Sequence, residues 1–220
     1  MLLNISEIPK GIKLCKILTA DKISKRSTLI EWFPKEMNLL EGFNDKREIE
    51  KGRKEKIEAL QNAIWRMVRA CLSDDGIGLA APQIGIFKRL FVIRESNDST
   101  LFRAYLHPRY TIDISARTEE EPEGCLSVPG KRLPISRPNV ICAEWLEFND
   151  EGNQLIKQTA ILEGLKARVF MHETDHLNGI SILDKYREQL KHKQQETSFY
   201  SVVSPLSSIS NTVASTTITR

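Results

Sequence analysis

The stretch Ala167-Arg168-Val169-Phe170-Met171-His172-Glu173-Thr174-Asp175-His176-Leu177-Asn178-Gly179 decides the architecture of this chain. Asn178-Gly179 suits a left-handed helix cap, and the pattern ahead of it predicts a helix over roughly Glu163 to Leu177. Four residues advance an α-helix by about 400°, so the imidazoles of His172 and His176 emerge about 40° apart, one turn from each other. Such a pair can grip one metal ion. Glu173 stands one step round the helix, close enough to handle a proton without being needed as a ligand. The bland alternative is a pair of histidines satisfied by ordinary helix neighbours.

A helical histidine pair needs a third protein ligand if one metal position is to stay open for water. No further His or Glu follows at once, because the chain continues Leu177-Asn178-Gly179-Ile180-Ser181. The four cysteines stand at 15, 71, 125 and 142. Cys125 lies in Glu123-Gly124-Cys125-Leu126-Ser127-Val128-Pro129, between a glycine that lets backbone approach a ligand and a proline-bounded loop. Cys71 and Cys142 read as small buried hydrophobes, and Cys15 carries no signal. A third segment, Gly76-Ile77-Gly78-Leu79-Ala80-Ala81-Pro82-Gln83-Ile84-Gly85, reads as a tight turn between a helix and a strand. It fails as a phosphate loop, since no Lys-Ser/Thr follows its glycines. Gln83 offers a neutral amide in otherwise small, apolar surroundings.

Outward from these segments, Ile57, Leu60, Ile64, Met67, Val68 and Cys71 recur every three or four residues, the stripe of an amphipathic helix that stops at Asp74-Asp75-Gly76. The mixed-charge run from Asn44 to Glu58 leads into it as a solvated face. Short β-rich runs follow: Leu90 to Ile93, Leu101 to Leu106, Thr111 to Ala116, and Val140 to Phe148 against Gln154 to Leu162 across a polar turn, a β-hairpin. Pro108, Pro122, Pro129, Pro134 and Pro138 predict irregular connections in this region. From Gln194 to Arg220, twelve of twenty-seven residues are Ser or Thr, so disorder is expected there.

The chain has 220 residues with 32 basic and 29 acidic side chains, a net charge of +3. That leaves no concentrated basic face for nucleic acid, so no sequence-specific nucleic-acid binding is expected. The cysteines lack the spacing of a secreted disulfide scaffold, and no apolar run reaches the length of a signal-peptide core or a membrane span. A reducing, cytoplasmic setting is expected, with no membrane role.

The three chemical segments, in this order, resemble the peptide deformylases, a family marked by Gly-x-Gly-x-Ala-Ala-x-Gln, Glu-Gly-Cys-Leu-Ser and His-Glu-x-x-His. Here they are Gly76 to Gln83, Glu123 to Ser127 and His172 to His176. The resemblance covers roughly Leu60 to Tyr186, and it implies an α+β fold in which antiparallel sheets partly wrap a central metal-binding helix. Three domains follow from it: an amino-terminal extension 1–59, a catalytic domain 60–193 and a Ser/Thr-rich tail 194–220. The implied activity is hydrolysis of the formyl group from N-formylmethionyl nascent peptides, with release of formate. Cys125, His172 and His176 are the implied ligands of one divalent metal, Fe2+ first, with Zn2+, Ni2+ or Co2+ as alternatives. Glu173 is the implied proton carrier, with the Gln83 amide and the Leu126 N–H as donors to the developing oxyanion. Gly78 and Gly124 are expected against the substrate backbone. Ile77, Leu165 and Val169 are expected at the Met side chain, and Arg132 either on the peptide side of the cleft or in solvent.

The implied enzyme is a cytoplasmic monomer working near the ribosome, with an organelle matrix as the other setting. Two other readings compete with it: a metal-binding paralogue that acts as a non-catalytic module, and a metalloprotease. The family pattern is broken at His107-Pro108, where Asn-Pro is expected, and at Met171, where Gln commonly precedes the first His.

Overall fold

A computed structural model describes residues 2–23, 46–96 and 99–203. Eight strands form: β1 (Leu2–Asn4), β2 (Gly78–Ala80), β3 (Leu90–Arg94), β4 (Leu101–Ile112), β5 (Thr118–Cys125), β6 (Val128–Pro138), β7 (Val140–Phe148) and β8 (Leu155–Glu163). Three long helices accompany them, α1 (Lys46–Ser73), α2 (Gly164–Leu177) and α3 (Ile182–Val203), with a single helical turn at Ala20–Ile23. All strand pairs are antiparallel. One sheet runs β2-β3-β4-β7-β8 with β1 also on β4, and β5 pairs with β6 as a separate ribbon. This is the expected α+β arrangement.

The sheet has two apolar faces, and each takes one helix. Leu90, Val92, Phe102, Ala104 and Leu106 pack against Ile64, Met67, Val68 and Cys71 of α1, the stripe anticipated from its spacing. Phe91, Ile93, Tyr105, Ala143 and Trp145 alternate with that set and pack against Ala167, Val169, Phe170 and Met171 of α2. Phe170 stands edge-on to Phe91 and Tyr105, with ring centroids 5.0 and 5.4 Å away. That contact fixes how α2 is rotated, and so which way His172 and His176 point. Met171 is also buried in this core. The helix then ends where Gly179 takes a left-handed φ of +76°, as its cap predicted.

Several expectations are corrected. Leu101 to Leu106 and Thr111 to Ala116 are not two strands: one strand, β4, carries a bulge between Leu106 and Arg109 and ends at Ile112. His107 sits at that bulge with φ +48°, left-handed backbone that Asn adopts more readily, which accounts for the family's usual residue. The prolines do not all mark irregular chain. Pro122 and Pro134 face each other within the β5–β6 ribbon, where each strand has a free edge and a missing N–H breaks no ladder bond. Cys142 is half-exposed rather than buried, because it points away from α2, with Sγ 3.7 Å from an Asp113 oxygen. Helix α3 runs past the boundary expected at Gln194 to Val203, and residues 204–220 lie outside those described. The amino-terminal segment contributes β1 to the sheet, while 24–45 again lies outside the described residues.

Candidate active site

Helix α2 and the turn joining β5 to β6 meet at three side chains. The ligand atoms of Cys125, His172 and His176 all lie within 4.8 Å of one another. Cys125 Sγ is 3.3 Å from His176 Nε2, which is 3.2 Å from His172 Nε2. The rings are one helical turn apart and cross at 85°. A soft sulfur and two imidazole nitrogens aimed at one point form a donor set for a divalent transition metal.

The environment prepares these atoms for that use. His172 Nδ1 lies 3.0 Å from Glu123 Oε2, which leaves Nε2 for the cluster. Glu123 is itself pinned by Arg137, through Nε at 2.7 Å and Nη2 at 3.1 Å, and by Arg168 Nη1 at 2.7 Å. Arg137 also reaches Asp175 at 2.8 Å. Burial alone would raise the Glu123 carboxyl, but bonds from His172 and Arg137 bring it down to about 2. His172 is also buried, which would lower it, yet Cys125 and Glu123 raise it to about 10. Burial and the facing His172 hold His176 well below the ordinary histidine value. Sequence reasoning assigned no role to Glu123, Arg137, Arg168 or Asp175. Glu123 and Asp175 lie inside two of the motifs, whereas Arg137 carries no local signal at all.

Glu173 is 3% exposed and its Oε2 has no hydrogen-bond partner. Burial raises it to about 7, against the lowering effect of His172 and Arg137. A carboxylate left unpaired at such depth is costly unless a ligand or water completes it. Its neighbour is Gly78: a Cβ there would fall 2.5 Å from Glu173 Oε1 and 3.0 Å from Val169 Cγ1.

On the other side stands Gln83, 1% exposed. The Ala80 N–H donates to its Oε1 at 2.7 Å, so its Nε2 must be the end that reaches Ser127 Oγ at 3.1 Å and lies 3.9 Å from Cys125 Sγ. Leu126 follows Cys125 at the turn, and its side chain lies over Gly76, where a Cβ would come within 2.7 Å of Leu126 Cδ1. Thus residues 125, 172 and 176 converge, with Glu173 and Gln83 beside them.

Gln83, Cys125, Leu126, His172 and Glu173 line a groove of about 1990 Å³. Ile77, Gly78, Gly124, Arg132, Leu165 and Val169 all line it too. Gly124 faces open space, since a Cβ would meet nothing nearer than the Lys131 carbonyl at 3.9 Å. Arg132 is exposed, and its Nη2 donates to the Pro122 carbonyl at 3.1 Å. A second hollow, about 710 Å³ between α1 and β1, holds none of these residues.

Comparison with known proteins agrees with this geometry. The family model for polypeptide deformylase matches residues 44–192. A peptide deformylase of Clostridium botulinum is 40% identical over 128 residues, which span 58% of this chain and 80% of the relative. One from Prochlorococcus marinus is 38% identical over 148 residues, spanning 64% and 69%. The crystal structure of the Thermotoga maritima peptide deformylase aligns with a TM-score of 0.57 at 30% identity, covering 79% of this chain and 97% of that one. A Synechococcus elongatus peptide deformylase in complex with actinonin aligns at 0.52 and 33% identity, covering 64% and 75%. A match over more than half the chain, joined to this fold, means that the chain belongs to the polypeptide deformylase family.

Proposed function

We propose that this chain hydrolyses the formyl group from the N-formylmethionyl end of nascent peptides and releases formate. The observation that carries the reading is Glu173: a buried carboxylate with one unpartnered oxygen beside a Cys-His-His donor set. Cys125, His172 and His176 would hold one divalent metal, ferrous iron ahead of zinc, nickel or cobalt, and the bound ion would supply Lewis-acid activation of water at neutral pH. Glu173 takes a proton from the attacking water as its oxygen bonds to the formyl carbon. It returns that proton to the nitrogen as the carbon–nitrogen bond breaks, leaving formate and a free amino terminus.

Charge that builds on the formyl oxygen is met by the Gln83 Nε2 and the Leu126 N–H, a role in which one donor is typically worth about 10² to 10³ in rate. Gln83 suits it because Ala80 and Ser127 hold its amide in one orientation. Gly78 and Gly124 lie along the substrate backbone, Ile77, Leu165 and Val169 take the methionine side chain, and Arg132 takes the peptide beyond it. The setting is the cytoplasm, near the ribosome, with the chain as a monomer. Among the described residues no helix is long and apolar enough to cross a membrane.

Anaerobically purified, iron-loaded protein should release formate from formyl-Met-Ala-Ser. Bound metal with no formate would instead support the non-catalytic module, and cleavage of unblocked internal peptide bonds would support a protease.

A further inference from the structure

Two arginines that line the groove are paired with carboxylates on its lining. Arg168 Nε meets Glu121 at 3.0 Å, and Arg94 meets Asp75 at 3.6 Å. Where the groove opens to solvent the balance changes. Lys16, Lys131 and Arg132 all line it and are exposed, and none forms an ion pair among the described residues. Among those residues two groove carboxylates lack an ion pair, Asp74, which is exposed, and Glu173, which is buried beside the Cys-His-His cluster.

Both lysines are held in place by backbone. Lys16 belongs to the segment 14–17, which is tied down on both sides: the Leu18 N–H donates to the Gln83 carbonyl at 2.7 Å, and Arg66 Nε approaches Cys15 Sγ at 3.1 Å. Lys131 sits on a bulge, because β6 pairs Val128 with Cys125 and Arg132 with Gly124, which pushes 129–131 out of register, with Gly130 at φ +73°. Two segments far apart in sequence therefore bring cations to one opening. The same groove holds Cys125, His172 and Glu173, so a peptide bound with its formyl end at that cluster has Lys16 and Lys131 on the walls available to the rest of its chain.

We propose that Lys16 and Lys131 make this groove select peptides with acidic side chains at the third and fourth positions and disfavour basic ones there. The proposal rests on the deformylase reading and adds a substrate preference to it. Like-signed charges lining a cleft attract the opposite sign in the bound chain and in the approaching one. An exposed pair of this kind changes affinity by a factor of about two to five, and 1 M salt, with a Debye length of about 3 Å, removes most of it.

The test compares formyl-Met-Ala-Glu-Glu, formyl-Met-Ala-Ser-Ser and formyl-Met-Ala-Lys-Lys on the metal-loaded full chain. Binding of the deformylated peptides Met-Ala-Glu-Glu and Met-Ala-Lys-Lys by calorimetry serves as a readout independent of turnover. The expected order of kcat/KM is Glu, then Ser, then Lys, set by KM with kcat nearly constant, and flattened by 1 M salt. The double variant K16E/K131E should reverse it. An equal or opposite order in the unmodified chain, or an order that survives the double variant, overturns the proposal. If no peptide releases formate, the deformylase reading falls, and the calorimetric order still decides the charge preference.

Discussion

The two glycine-bearing walls of the groove use glycine for opposite reasons. In the Gly76–Gln83 wall, side chains already fill the space: a Cβ at Gly78 would strike Glu173 Oε1 at 2.5 Å, and one at Gly76 would strike Leu126 Cδ1 at 2.7 Å. In the Glu123–Ser127 wall, a Cβ at Gly124 would enter open groove. The first wall is small so that the catalytic carboxylate can lie against it. The second is small where a ligand needs room.

Changes at the first wall should therefore act on chemistry. Replacing Glu173 by Gln should lower formate release by about 10² to 10⁴ while metal content, read by elemental analysis, stays unchanged. Turnover within a few-fold of the parent would remove Glu173 from its role. Gly78→Ala should cost about 10² in kcat by displacing that carboxylate, with about 1 to 3 kcal/mol of stability in denaturant unfolding. A variant of normal kcat would mean that the wall can yield.

Behind the second wall, Glu123→Gln removes the carboxylate that orients His172 and answers Arg137 and Arg168. It should weaken metal affinity by about 10- to 100-fold in a competition titration with a chelator. Gly124→Ala should give the smallest effect: unchanged thermal stability and metal content, and a KM raised about two- to ten-fold, as expected of a methyl group that costs about 1 kcal/mol in a binding site. If Gly124→Ala lowered stability as much as Gly78→Ala, the contrast between the walls would fail.

Much of this was legible because it is local. Helix periodicity marked the α1 stripe and the one-turn spacing of His172 and His176, and the Asn149-Asp150 region marked the β7–β8 hairpin. The family motifs brought Gln83, Cys125 and Glu173 to attention. What stayed hidden depends on partners distant in sequence. Cys142 belongs to an apolar strand, yet it is half-exposed because only alternate residues face α2. Pro122 is a strand residue because its ribbon has a free edge.

By itself the sequence determined the periodicities, the caps and the identity of the chemical groups, since these follow from bonds and neighbours within a few residues. The tertiary structure alone decided that Arg137, 38 positions from Asp175 and 14 from Glu123, binds both and so stiffens His172. It also decided that Lys16 and Lys131 share one opening. The reason is physical: a buried charge is tolerated only where opposite charges and donors surround it, and those are gathered by packing the β5–β6 ribbon against α2.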